Sequence, residues 1–154
     1  MHSNAMLLDS SKASRQRGLT LMELLTVIVI IGVLASIAVP SYRSYLIRAN
    51  RSDAKSALMQ VQANQEKYYL QYNNYTDKVT DAPPTGLGMP GKTSHGFYEI
   101  SIKAGADNQS YTATAAPVAG GGQADDKKCG SFTISDAGVR GITGGTSDSE
   151  FCWK

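Results

Sequence analysis

The chain has almost none of the residues from which reactive sites are built. Two histidines, His2 and His95, stand far apart in 154 residues, and both cysteines, Cys129 and Cys152, fall near the C-terminus. Such a set cannot supply the four ligands of a structural zinc ion, nor a nucleophile paired with a histidine base. The two cysteines are also too far apart for CxxC redox chemistry. Gly120-Gly121-Gly122 has no lysine at the spacing of a phosphate loop and no helix behind it, so it reads as a linker. Asp125 and Asp126, with Asp107 or Asp148, offer oxygens for calcium, but their spacing is not that of a calcium loop and Lys127 and Lys128 adjoin them. No catalytic residue, metal or cofactor is expected. A surplus of one charge is missing too. Lys12, Arg15 and Arg17 against Asp9 account for the whole formal charge of +2, and the chain from Leu19 onward is balanced. A balanced body argues against a broad polyanion-binding surface.

What the chain does have is one long apolar run. Leu19 to Val39 contains a single ionisable side chain, Glu23, and as a helix would extend about 32 Å, enough to cross a bilayer. A cleaved secretory signal has a shorter apolar core followed by small residues, whereas this run leads straight into a second helical pattern. Basic residues flank the run on both sides, Arg15 and Arg17 before it and Arg43, Arg48, Arg51 and Lys55 after it, so charge alone does not orient it. The cysteines do. A single disulfide between Cys129 and Cys152 would add about 3 to 4 kcal/mol in an oxidising compartment, which puts the C-terminal part outside and the basic leader in the cytoplasm.

Glu23 is the residue a plain membrane anchor leaves unexplained. A carboxylate in an apolar span costs about 3 kcal/mol on insertion scales, so it calls for a partner. A cut after Gly18 would create an amine on Leu19, and a neighbouring subunit could offer that amine to Glu23. Here the residues carry a family likeness. Arg17-Gly18-Leu19-Thr20-Leu21-Met22-Glu23-Leu24-Leu25, the apolar run and Pro40 resemble the class III signal of type IV prepilins and pseudopilins. In that family a peptidase cuts after the glycine and methylates the new N-terminus, where Phe is usual and Leu19 stands here. The resemblance implies Gly18 and Leu19 as the cleavage site, Leu19 as the methylated residue and Glu23 as an assembly contact. Ser3-Asn4-Ala5 ahead of Met6 has the look of a cloning remnant, which would make Met6 the natural start.

After Pro40 the spacing of Tyr42, Tyr45, Leu46, Ala49, Ala54, Ala57, Leu58, Val61, Gln65, Tyr68 and Tyr72 predicts an amphipathic helix, with Arg43, Arg48, Arg51, Lys55 and Glu66 mostly off its apolar stripe. It would continue the membrane segment as one helix of about fifty residues, kinked at Pro40 and loosened at Gly32. The tyrosines from Lys67 to Tyr75 have no basic cluster beside them and read as helix packing, not as a nucleic-acid stacking platform. Asn73-Asn74 stops the helix, and a loop with Pro83, Pro84, Pro90 and several glycines follows through residue 96. The period then changes to two. Strands are expected at Phe97 to Lys103, Ser110 to Ala115, around Phe132 and Ile134, and at Val139 to Thr143, with Gly120 to Lys128 as a flexible connection. One helix followed by consecutive strands makes an α+β fold with an antiparallel sheet of about four strands packed on the helix. The expected organisation is a leader at 1–18, an apolar helix at 19–40 and a head at 41–154.

The body also resembles a PilE-type minor pilin of type IVa pili, through residues 48 to 58, residues 110 to 120, Cys129-Gly130-Ser131-Phe132 and the near-terminal Cys152-Trp153. That resemblance implies a structural subunit whose partners are other pilins, the prepilin peptidase, an inner-membrane assembly platform and, before assembly, inner-membrane lipid. It implies a single-pass inner-membrane protein with its head in the periplasm, later part of an extracellular filament for twitching motility, adhesion or DNA uptake. Two alternatives share the N-terminus. One is a type II secretion pseudopilin, against which the terminal disulfide speaks. The other is a competence pilin that grips DNA directly, against which the neutral body speaks.

Overall fold

The structure is a computed structural model that describes residues 18–154. The leader charges Lys12, Arg15 and Arg17, the candidate start Met6 and His2 lie outside the described residues. Seven elements follow in order: α1 (Leu21–Tyr72), β1 (Tyr98–Ala104), β2 (Tyr111–Pro117), a 3-10 turn (Gly122–Asp125), β3 (Ser131–Ser135), β4 (Arg140–Thr143) and α2 (Ser149–Trp153). The chain divides into two compact units, one ending at Pro40 and the other beginning at Ser41.

In the first unit α1 is a bare apolar rod. Thr20 starts it by accepting the Glu23 N–H at Oγ1, 3.1 Å, which satisfies one of the donors a helix start leaves open. The helical assignment runs through Gly32 and Pro40. Its most apolar window has a mean hydropathy of 2.6 and none of it is buried, so this helix is long and apolar enough to cross a membrane.

In the second unit the rest of α1 lies on the sheet. Ala54, Ala57, Leu58, Val61 and Gln65 are its buried face. The helix ends where Asn73 takes a left-handed φ of 56° and its N–H returns to Tyr69 O at 2.8 Å, a conformation asparagine adopts more readily than most residues. The sheet has the order β1-β2-β3-β4 and is antiparallel throughout. Its register lines Ile100, Ala115, Phe132 and Ile142 into one row, and Ile102, Ala113 and Ile134 into the next. Small alanines, Ala113 and Ala115, sit on the buried side of β2, while Tyr98 and Phe132 meet edge-on at 6.0 Å beside them. Such pairing of small against large side chains fills the space between layers without voids.

The fold is the α+β arrangement the periodicity predicts. Two expectations fail in the head. Gly120 to Lys128 is not a flexible connection: it contains the 3-10 turn, and Gln123 and Asp126 within it are buried. Arg51 is not off the buried stripe but is 6% exposed, inside it. Both errors have one cause, because the arginine and the loop neutralise and bury each other. The stripe is also shorter than its spacing suggests, since Tyr42 and Tyr45 are exposed. The α2 turn was not anticipated at all.

Candidate functional site

Of the residues singled out at the N-terminus, Gly18 and Leu19 lie just ahead of α1, and Glu23, Gly32 and Pro40 lie on the bare rod. A side chain added at Gly18 or at Gly32 would meet nothing within 4 Å, so packing within the chain does not demand glycine at either place. Glycine in a helix interior costs roughly 1 kcal/mol relative to alanine. Leu19, Leu21 and Met22 are exposed, and the apolar side chains onward to Val39 stay largely so.

Glu23 has more local support than its position in an apolar run suggests. Thr20-Leu21-Met22-Glu23 follows the T-x-x-E order of a capping box, and Glu23 stands in the first turn, where the helix dipole favours an anion. The sequence reading missed Thr20, although its spacing to Glu23 is the signal. Magnitudes decide what this explains. The dipole contributes about 0.3 to 1 kcal/mol, against about 3 kcal/mol for a carboxylate in an apolar span. Local capping therefore leaves most of the cost standing. Among the described residues, no side chain or backbone donor bonds the Glu23 carboxylate.

In the head, Cys129 and Cys152 form a disulfide, with an S–S distance of 2.03 Å. Gly130 follows Cys129 with φ 58°, and a Cβ there would come within 2.5 Å of Thr143 O, so glycine is required where β3 starts. On the other side of the bridge, Trp153 donates Nε1–H to Gly141 O at 2.9 Å and meets the Phe132 ring edge-on at 5.8 Å. The disulfide, α2 and β4 thus close one end of the core.

The loop before Cys129 is tied to α1 by three arginine-aspartate and amide contacts. Arg51 grips Asp126 in a bidentate pair, 2.8 Å at each nitrogen, with side chains 7% and 1% exposed. Asp126 Oδ1 also accepts the backbone N–H groups of Lys128 and Cys129 at 3.2 and 3.3 Å. Gln123 donates Nε2–H to Ile47 O at 3.1 Å. Arg43 reaches Asp125 at 2.7 Å, on the exposed surface. The two aspartates weighed as calcium ligands are therefore each engaged by an arginine. Beneath them the Tyr98 hydroxyl is pushed well up from the ordinary tyrosine range, first by burial and then by the nearby Asp126 carboxylate.

The tyrosines at the far end of α1 pack as helix residues. Tyr68 donates to Pro84 O at 2.6 Å and meets the Tyr72 ring at a tilt of 45°, while Tyr75 lies between Tyr69 and Tyr111 at 4.7 and 4.8 Å. They fasten the loop at 76–96 to the helix. His95 stands alone there, with Nδ1 3.0 Å from Asp53 Oδ1. Among the described residues no three His, Cys, Asp or Glu side chains are grouped to hold a metal ion.

Comparison with known proteins follows the same division. A family model described as type IV minor pilin ComP, DNA uptake sequence receptor, matches residues 40–133, and a model of the prokaryotic N-terminal methylation motif matches residues 13–39. A type IV major pilin protein PilE1 of Neisseria gonorrhoeae is 35% identical over 58% of this chain and 54% of its own length. The type IV major pilin protein PilA of Myxococcus xanthus is 33% identical over 59% of this chain and 40% of its own. The type II secretion system core protein G of Pectobacterium carotovorum is 43% identical over a shorter stretch, 40% of this chain and 39% of its own. The matches thus span about half or less of each of these relatives. A solved type IV pilin from Shewanella oneidensis is 22% identical, with a TM-score of 0.46, over 70% of this chain and 98% of that one.

Proposed function

Since this chain belongs to the type IV pilins, and within them to the family described as type IV minor pilin ComP, DNA uptake sequence receptor, we propose that it is a minor subunit of a type IV pilus. In this reading residues 1–18 are a leader removed by prepilin peptidase after Gly18, and Leu19 becomes the methylated N-terminus. The apolar helix at 19–40 then holds the chain in the inner membrane, with the head at 41–154 in the periplasm. Assembly on an inner-membrane platform moves that helix from lipid into the core of a filament of other pilins, where Gly32 and Pro40 let it bend. The filament would serve twitching motility, adhesion or DNA uptake.

One observation carries the reading: the most apolar stretch of α1, eighteen residues long, has none of its residues buried. An apolar surface of that size has to be covered by lipid or by protein. Glu23 distinguishes the two coverings, because lipid offers a carboxylate nothing and a neighbour's Leu19 amine offers it an ion pair. Glu23→Leu should therefore be cleaved and inserted normally while its incorporation into pili falls sharply. Incorporation at the normal level would remove Glu23 from the mechanism. Gly18 replaced by a bulky residue should leave full-length precursor in the membrane.

A second reading draws on the family model's own description: the head would be a receptor for DNA taken up by the cell. The balanced charge of the body limits such a surface to a local patch. The likeness to a secretion-system core protein supports a third, a pseudopilin role. Deleting the gene and scoring piliation, protein secretion and DNA uptake separately distinguishes all three.

A further inference from the structure

Four buried side-chain atoms of the head, Asp53 Oδ2, Tyr98 Oη, Tyr111 Oη and Gln123 Oε1, have no hydrogen-bond partner among the described residues. A polar atom taken out of water without a partner loses its whole hydration, so each of the four calls for an explanation. Two of them belong to side chains that meet. The Gln123 amide lies beside the Tyr98 hydroxyl, and the two residues are 1% and 0% exposed. Gln123 is not free to turn its amide over. Its Nε2–H donates to Ile47 O at 3.1 Å, and exchanging the two ends of the amide would set oxygen against oxygen there. Oε1 is therefore held without a donor, and the Tyr98 hydroxyl hydrogen is without an acceptor. The third group at this place is Asp126, the charge that acts most strongly on the Tyr98 hydroxyl. Its Oδ1 accepts from Arg51 Nη2 and from the backbone N–H groups of Lys128 and Cys129, whereas Oδ2 accepts from Arg51 Nε alone. A carboxylate oxygen has two lone-pair positions, so Oδ2 keeps one to spare.

We propose that the head binds a single internal water molecule at this place, which accepts the Tyr98 O–H and donates to Gln123 Oε1 and Asp126 Oδ2. Water brings two hydrogens and an acceptor, so it answers one unused donor and two unused acceptors without remainder. A metal cation would leave the hydroxyl hydrogen unanswered. Buried waters make about three hydrogen bonds each, to groups that would otherwise be unpaired. Bound here, the water joins Tyr98 of β1 to the turn before Cys129 and, through Asp126, to Arg51 of α1. It is therefore a structural part of the buried polar cluster, and the inference concerns the head alone, whatever membrane or filament the chain enters.

The test is a high-resolution crystal structure of the full chain in detergent, together with urea unfolding of Tyr98→Phe. The expected result is one peak of electron density about 2.5 to 3.0 Å from each of Tyr98 Oη, Gln123 Oε1 and Asp126 Oδ2. Tyr98→Phe, which removes the hydroxyl and nothing else, should raise the unfolding constant roughly ten-fold, because the water loses one of its three anchors. A Tyr98 hydroxyl found bonded directly to Gln123 Oε1, with no peak between them, overturns the proposal. A peak with contacts of about 2.4 Å to six or more oxygens is a metal cation and overturns it as well. A Tyr98→Phe chain as stable as the native one, or more so, also overturns it, because deleting an orphaned hydroxyl relieves a cost whereas deleting a water's anchor adds one.

Discussion

Leu34 and Leu58 are the same residue in the same helix, 62% exposed in one case and wholly buried in the other. The difference lies in what the sequence supplies around them. Near Leu34 nearly every side chain is apolar in all directions, which leaves the helix no face to turn toward a core of its own. Near Leu58 apolar residues recur at helical spacing between charged ones, and the strands offer an alternating face to meet them. A helix that is apolar all round seeks its covering outside the chain; one with a stripe finds it within.

The largest effect should come from the charge buried in that stripe. Arg51→Leu leaves Asp126 buried without its partner and should lower the unfolding free energy of the head by about 3 to 5 kcal/mol, measured by urea titration of the detergent-solubilised chain. The double change Arg51→Met with Asp126→Leu should lose less, because no uncompensated charge remains. A similar titration sharpens the leucine comparison. Leu58→Ala should cost about 2 to 5 kcal/mol through lost burial and a cavity, and Leu34→Ala should leave the head unchanged. An equal loss in both would mean that the two parts of α1 do not differ as described.

That contrast also marks how much was legible in the sequence. Period alone gave the helix, the four strands and the α+β arrangement, and turn residues such as Asn73 marked the end of α1. The Arg51–Asp126 pair was hidden because each partner looks like a surface residue by itself: an arginine among other basic residues, an aspartate after a run of glycines. Only the fold brings positions 75 apart together. Residues that pair over such a distance leave no periodic trace. The capping role of Thr20 is different, being written locally in Thr20-Leu21-Met22-Glu23.

Alkaline titration tests the packing of the head through its buried tyrosines. Burial, followed by the hydrogen bond to Glu66, pushes Tyr75 up to about 12 from an ordinary value of 10.0, and burial pushes Tyr111 up as well. Folding therefore favours the protonated phenols. Their contribution to stability is present below about pH 10 and is lost as pH rises from 10 toward 12. Tyrosinate absorbance from Tyr75, Tyr98 and Tyr111 should rise only well above pH 10, together with unfolding followed by circular dichroism. Ionisation of these three at pH 10 in a folded head would contradict this. The smallest effect should follow Arg43→Gln, because its pair with Asp125 is exposed and worth about 1 kcal/mol at most. Two turns of helix thus separate the weakest tie to the loop from the strongest.

Asp126 joins two kinds of connection that respond differently to force. On one side it holds Arg51 of α1, and on the other it receives the N–H of Cys129, the first residue of the covalent ring that Cys152 closes. Tension applied along α1 would pass through that carboxylate into a segment the disulfide makes inextensible. The strands between the cysteines are thereby shielded from pulling, and the non-covalent grip of Arg51 would slip before they peel apart. Under such a load β3 and β4 would stay together inside the ring after the arginine has let go, where an unbridged sheet would unravel from its last strand.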